Sequence, residues 1–153
     1  MTAIIDYHSG LKEHIRTLNY EWLEKYFRLE PGDVVALSDP QIHIIDKGGF
    51  IFYVSHNDEI VGVAALLKVT DAVYELGKMA VTEKYRNMKF GKLLIEHCIR
   101  FAETKGIEKL ILYSNTKLAP AIHLYKKYGF VEIQLESGHY ERADIKMEKQ
   151  LKT

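Results

Sequence analysis

The sequence predicts an α/β (α+β) protein, with a mixed, largely antiparallel β-sheet carrying helices on both faces. Three observations predict it. Apolar, β-branched runs follow one another at Phe50 to Ser55, Ile60 to Val69 and Val73 to Val81, separated only by the short polar segments His56 to Glu59 and Thr70 to Ala72, as in an antiparallel meander. The pattern then switches to helical spacing in two stretches, each closed by a glycine. Each of those helical stretches is followed by further strand-like sequence.

Taken in order, Ala3 to Tyr7 reads as a strand. Ser9 is expected to cap a helix whose apolar positions Leu11, Ile15, Leu18, Trp22, Leu23, Tyr26 and Phe27 recur at helical spacing, with Pro31-Gly32 as its stop. Asp39-Pro40 should start a second short helix that ends by Gly48-Gly49. After the meander, Phe90, Leu94, Cys98 and Phe101 share one helical face, with Leu93, His97 and Ala102 beside it and Gly106 as the stop. Lys109 to Ser114 is the next strand. Pro120, Ala121, Ile122, Leu124, Tyr125 and Tyr128 make the last helix, with Gly129 as its C′ residue. Phe130 to Leu135 and Asp144 to Leu151 complete the strands, for an order of βααβββαβαββ.

Length and composition set the class. With 153 residues, 47% apolar and 27% charged, the expectation is one domain over residues 1–153, large enough to bury its own core. Lys plus Arg equal Asp plus Glu at 21 each, so no global field favours nucleic acid or a membrane surface, and any anion site must be a local basic patch. The lone Cys98 excludes an internal disulfide and leaves no cysteine spacing for zinc; no metal is expected. Absence of a signal-like start or a bilayer-length apolar run gives the expectation of a soluble, cytoplasmic protein.

The most informative stretch is the junction from Val81 to Leu94, where an apolar strand meets a basic, glycine-containing turn that opens an amphipathic helix. Such a junction gathers free backbone N–H groups and the positive end of a helix at one place, which suits a phosphate. Within it, Arg86-Asn87-Met88-Lys89-Phe90-Gly91 is similar to the Gln/Arg-x-x-Gly-x-Gly/Ala loop of the GNAT superfamily of acyl-CoA-dependent N-acyltransferases. Ala121-Ile-His-Leu-Tyr125-Lys-Lys-Tyr-Gly129-Phe130 resembles the A-x-x-L-Y-x-x-x-G-F helix of the same superfamily. The likeness covers Phe50 to Leu151.

What the resemblance implies is specific. Residues 86 to 92, namely Arg86, Asn87, Met88, Lys89, Phe90, Gly91 and Lys92, would wrap the coenzyme A pyrophosphate. The preceding strand would splay from its neighbour, with Met79, Ala80 and Val81 offering main-chain groups to the pantetheine arm and to the thioester oxygen. Tyr125 would donate a proton to the departing thiolate, and Glu75 would serve as general base. Lys89 stands at the first glycine of the loop pattern, where a Cβ crowds the phosphate approach but an ammonium supplies charge. Leu118 stands where the family often places a pantetheine-binding asparagine; Asn115 or Ser114 is the local substitute. Glu24, Glu30 and Asp39 are competing carboxylates, and Tyr140, Glu141 and Arg142 fall where the family forms one wall of the acceptor site.

Cys98, on the apolar face of its helix, reads as a small buried hydrophobe, which disfavours an acyl-cysteine route. The expected activity is N-acetyl transfer from acetyl-CoA to a primary amine, on a small molecule or a peptide, by direct attack in a ternary complex. The alternative is a non-catalytic acyl-CoA-binding or regulatory module. A monomer or homodimer is expected.

Overall fold

The computed structural model of the chain describes residues 1–137 and 140–152. Seven strands form one sheet: β1 (Thr2–Asp6), β2 (Phe50–His56), β3 (Glu59–Lys68), β4 (Val73–Val81), β5 (Lys109–Ser114), β6 (Val131–Ile133) and β7 (Ile145–Gln150). Their spatial order is β1-β2-β3-β4-β5-β7-β6. Every pair is antiparallel except β4 with β5. The α-helices among the described residues are α1 (Lys12–Tyr26), α2 (Pro31–Ser38), α3 (Phe90–Thr104) and α4 (Ala119–Lys127). The predicted order of elements holds, and the mixed, largely antiparallel sheet is as expected.

Three expectations near the N-terminus are corrected. Ser9 is not the cap of α1: it opens a 3₁₀ turn (Ser9–Leu11) capped by His8, whose ring accepts from the Gly10 N–H at 3.2 Å. Pro31-Gly32 does not merely stop the first helix. Pro31 is the first residue of α2, where its fixed φ and missing N–H cost nothing, and α1 has already ended at Phe27, which leaves the helical region. The segment after Asp39-Pro40 is only a single wide turn, Gln41–Ile45, closed by the Asp46 N–H on Gln41 O. It ends where Gly49 passes so close to neighbouring backbone that a Cβ would sit 2.6 Å from Leu66 O.

The sheet buries apolar side chains on both faces. Phe90, Leu94, Ile95, Cys98 and Ala102 of α3 pack with Ile122 and Tyr125 of α4 against Phe52, Val54, Leu66, Leu76 and Leu112. On the other face, Ile15, Leu18 and Leu23 of α1 and Leu37 of α2 cover Ile51, Tyr53, Val63 and Ala80. Leu94 is fully buried, which alone contributes roughly 2–3 kcal/mol of hydrophobic stabilisation. α4 stops at Gly129, whose φ of +92° is one that a side chain resists.

One feature of the sheet positions everything that follows. β4 and β5 pair over just three residues, Val73 to Glu75 with Lys109 to Ile111, although β4 runs on to Val81 and β5 to Ser114. Beyond Glu75 the two strands diverge. A bulge accompanies the divergence: Val63 faces Ala80 and Ala65 faces Gly77, so β4 carries one more residue than β3 there. Lys78, inside the bulge, has a φ of +52°.

Candidate active site

A cavity of about 250 Å³ opens where β4 and β5 part. Its walls come from β4 (Glu75 to Val81), the end of β5 (Tyr113, Ser114) with Asn115 after it, α1 (Asn19, Trp22), α2 (Asp33, Leu37), α4 (Ala121, Tyr125) and Tyr140, Arg142 and Ala143. Asn19 is buried and fixes the bulge: its amide donates to Lys78 O at 3.0 Å and to Ile15 O at 2.9 Å, while Trp22 Nε1 donates to its oxygen at 3.1 Å.

Glu75 is not a solvent-facing strand residue; it is 5% exposed, on the cavity wall, and accepts from the Tyr140 hydroxyl at 3.0 Å. Burial and the adjacent Glu75 carboxylate push the Tyr140 phenol well above its ordinary value, so it stays neutral and acts as a donor. The Tyr140 ring is flanked by two cations, with Lys78 Nζ 5.2 Å and the Arg142 guanidinium 4.9 Å from its centre.

Arg142 is held in turn by α2. Its Nη1 donates to Asp33 Oδ2 at 2.7 Å and to Glu30 Oε2 at 2.9 Å, and its Nη2 donates to Asp33 Oδ1 at 2.9 Å. The Asp33 side chain is 1% exposed and also accepts from the Glu30 N–H at 3.0 Å. Backbone N–H groups of Glu141 and Arg142 reach Glu30 as well. The segment Tyr140 to Arg142 is thereby strapped to the start of α2, and the strap holds Tyr140 against Glu75.

Tyr125, 9% exposed and with its ring against Phe130, lines the same cavity from α4. Its hydroxyl has no hydrogen-bond partner among the described residues, and burial pushes its pKa up to about 12. Cys98 is fully buried in the core between α3 and the sheet, its thiol likewise pushed up to about 12, and it does not line the cavity.

The expected coenzyme residues divide into two groups. Met79, Ala80, Val81, Arg86 and Asn115 line the cavity. Asn87, Met88, Lys89, Phe90, Gly91 and Lys92 lie outside it, at the turn into α3. There a 3₁₀ segment (Glu83–Met88) is followed by Lys89 at φ +62°, so the left-handed position falls on the lysine that replaces the pattern's first glycine. The N–H groups of Phe90, Gly91 and Lys92 have no partner among the described residues; Leu93 N–H closes the first turn on Lys89 O. A Cβ on Gly91 would meet nothing within 4 Å, so the first turn of α3 is uncrowded there. The Phe90 ring itself is buried against His56 and Tyr85, leaving its backbone for any ligand. Arg86 is at present spent on Glu83 (2.9 Å) and the Tyr26 hydroxyl (3.3 Å), and the Asn115 amide on Arg142 O (2.6 Å) and the Lys117 N–H (2.8 Å).

Residues 11–130 match the model of the acetyltransferase (GNAT) family. The chain belongs to that family. This GNAT family member is 30% identical over 101 residues to the uncharacterized N-acetyltransferase YvbK of Bacillus subtilis, covering 64% of this chain and 65% of that protein. It is 31% identical over 86 residues to the [ribosomal protein bS18]-alanine N-acetyltransferase of Escherichia coli, covering 54% and 58%. The chain thus spans less than two thirds of the length of these curated relatives. Its fold matches a GNAT-family acetyltransferase of Staphylococcus aureus with a TM-score of 0.89 at 24% identity, covering 99% of this chain and all of the other.

Among the residues of this site that sequence reasoning missed are Asn19, Asp33 and Lys78. Asp33 went unnamed, although Glu30-Pro31-Gly32-Asp33 carries a helix-start signal in its proline and in the acid three residues after Glu30. Lys78 went unnamed because an isolated lysine in a strand reads as a solvated side chain; only the bulge turns it inward.

Proposed function

We propose that this GNAT family member transfers an acetyl group from acetyl-CoA to a primary amine by direct attack in a ternary complex. The observation that carries the reading is the cavity at the strand divergence, lined by both Glu75 and Tyr125. Backbone released from pairing beyond Glu75 serves the pantetheine arm as an added strand would, through Met79, Ala80 and Val81. The open N–H groups at the start of α3, with Lys89, Lys92 and Arg86 around them, serve the pyrophosphate; Arg86 exchanges Glu83 for it.

The acceptor amine must lose a proton before or as it attacks the thioester. Glu75, desolvated and fixed by Tyr140, takes that proton directly or through one water. An amide of the bulged strand stabilises the oxyanion. C–N bond formation then expels the coenzyme thiolate beside Tyr125. A phenol at about 12 is a weaker acid than an ordinary thiol near 8.5, so Tyr125 lends a hydrogen bond to the sulfur and yields its proton only against the one taken from the amine. The remote, un-ionised Cys98 argues against an acyl-enzyme. The E. coli relative, named for acting on an alanine of ribosomal protein bS18, supports an amine acceptor.

The test combines two readouts on one preparation. Coenzyme A should raise the melting temperature, and acetyl-CoA with a panel of amines should release free thiol without a burst. Stabilisation without turnover of any amine would make the chain a coenzyme-binding module; no stabilisation would remove the reading altogether.

A further inference from the structure

Lys78 has a place in the cavity that neither proton transfer nor coenzyme binding uses. Its side chain is 8% exposed and lines the cavity, next to Glu75 and over the Tyr140 ring. Its nearest carboxylate oxygen, Asp33 Oδ1, is 3.9 Å away, too far for a hydrogen bond, and Asp33 is already engaged by Arg142 and the Glu30 N–H. Among the described residues Nζ makes no hydrogen bond at all. Buried lysines are rare unless paired, because an ammonium has three donors to satisfy. The backbone adds a second cost: φ at Lys78 is +52°, a conformation for which glycine is the cheap choice. A chain that places a lysine in a left-handed bulge, buries it and leaves its donors open toward a cavity has kept it for something that enters the cavity.

The neighbouring charges say what that is. Asp33, Glu30 and Arg142 close on one another, and Lys78, which burial pulls below its ordinary value against the opposing charges of Asp33 and Glu75, stands three residues from Glu75 on the same wall, where an entering anion would favour its charged form. We infer that the acceptor is an amine that also carries a carboxylate, an amino acid in zwitterionic form being the simplest, with Lys78 binding the carboxylate and Glu75 facing the ammonium. This rests on the acetyl-transfer reading above and narrows its substrate class. A polyamine fits poorly, since its second cation would meet Lys78. The cavity of about 250 Å³ must also admit the acetyl end of the coenzyme, which favours a compact acceptor. Trp22, Phe27 and Leu37 supply an apolar side for the rest of it.

The experiment measures CoA release with each of the common amino acids, its carboxamide and its decarboxylated amine, together with spermidine. At least one amino acid should exceed its carboxamide and its amine by about 30-fold or more in kcat/KM, since a buried polar group left unpaired discriminates strongly. In Lys78→Met that ratio should fall to within about 3-fold, mainly through KM, whereas Lys78→Arg should keep it above about 10-fold. Stabilisation by CoA, measured alongside, shows that each variant is folded; the wild-type panel decides the matter even if one is not. Equal or faster turnover of carboxamides, decarboxylated amines or spermidine would overturn the inference, as would a ratio that survives in Lys78→Met. So would CoA binding with no amino acid turned over, or an acetyl group found on Lys78 after acetyl-CoA alone, which would make it a nucleophile. Failure of CoA to bind removes the acetyl-transfer reading itself, a different result from any of these.

Discussion

Replacing Arg142 by methionine keeps the apolar stem and removes the guanidinium that ties the segment before β7 to α2. Three hydrogen bonds are lost, two to Asp33 at 2.7 and 2.9 Å and one to Glu30 at 2.9 Å, along with the cation over Tyr140. Asp33, 1% exposed, is left with one backbone N–H at 3.0 Å and an ammonium 3.9 Å away. Removing one partner of a buried pair costs about 3–5 kcal/mol, chiefly because the other charge stays desolvated. The Arg142 side chain is 15% exposed, so water can partly replace it, and the low end, about 3 kcal/mol, is expected. In a chain of this size that corresponds to roughly 6–12 °C in melting temperature. Urea unfolding measures the free energy, and Asp33→Asn alone and combined with Arg142→Met closes the cycle. The double variant should recover at least about 1.5 kcal/mol relative to the sum of the singles. A loss under about 1 kcal/mol for Arg142→Met, or additive singles, would show that the strap is not held by this pair.

Lys89→Gly should stabilise the fold by about 1 kcal/mol in urea, because it relieves a left-handed lysine at φ +62°; no gain would mean the strain is absorbed elsewhere. CoA affinity of the same variant separates the two roles of Lys89, weakening if its charge is used and tightening if its bulk obstructs. Tyr125→Phe, which loses no hydrogen bond among the described residues, should leave the urea midpoint nearly unchanged while lowering kcat about 100-fold; full activity would remove Tyr125 from the chemistry. Cys98 should resist iodoacetamide at pH 8.5, where an exposed thiol is about half ionised, and react only as the protein unfolds. The sign follows from a folded pKa raised to about 12: the thiol's contribution to stability is present below the unfolded value and is lost as pH rises toward the folded one. Labelling of the native protein faster than its unfolding would contradict the assigned burial.

Much of this molecule is written in its residue order. Alternation of β-branched residues marked β2, β3 and β4, helical spacing marked α3 and α4, and Gly106 and Gly129 marked their ends, because those signals depend on neighbours a few positions away. Two local motifs were enough to point to the family and to Glu75, Tyr125 and the loop from Arg86 to Lys92. The error in placing α2 was also local. Pro31 is as good a first residue of a helix as it is a stop after one, and the reciprocal capping of Glu30 and Asp33 that opens α2, with Leu37 packed in the core, marks it as the former.

The charges of the cavity wall were decided by the tertiary structure alone. Arg142 meets Asp33 across 109 positions and Tyr140 meets Glu75 across 65, and no pattern within a short window can pair residues so far apart. The same holds for Lys78, which a strand pattern would turn to water but which the bulge against β3, pinned by Asn19, turns into the gap between β4 and β5. Short-range periodicity fixes where strands and helices lie; which charges share a cavity depends on how the divided sheet and the helices over it close, and that is a property of the whole chain.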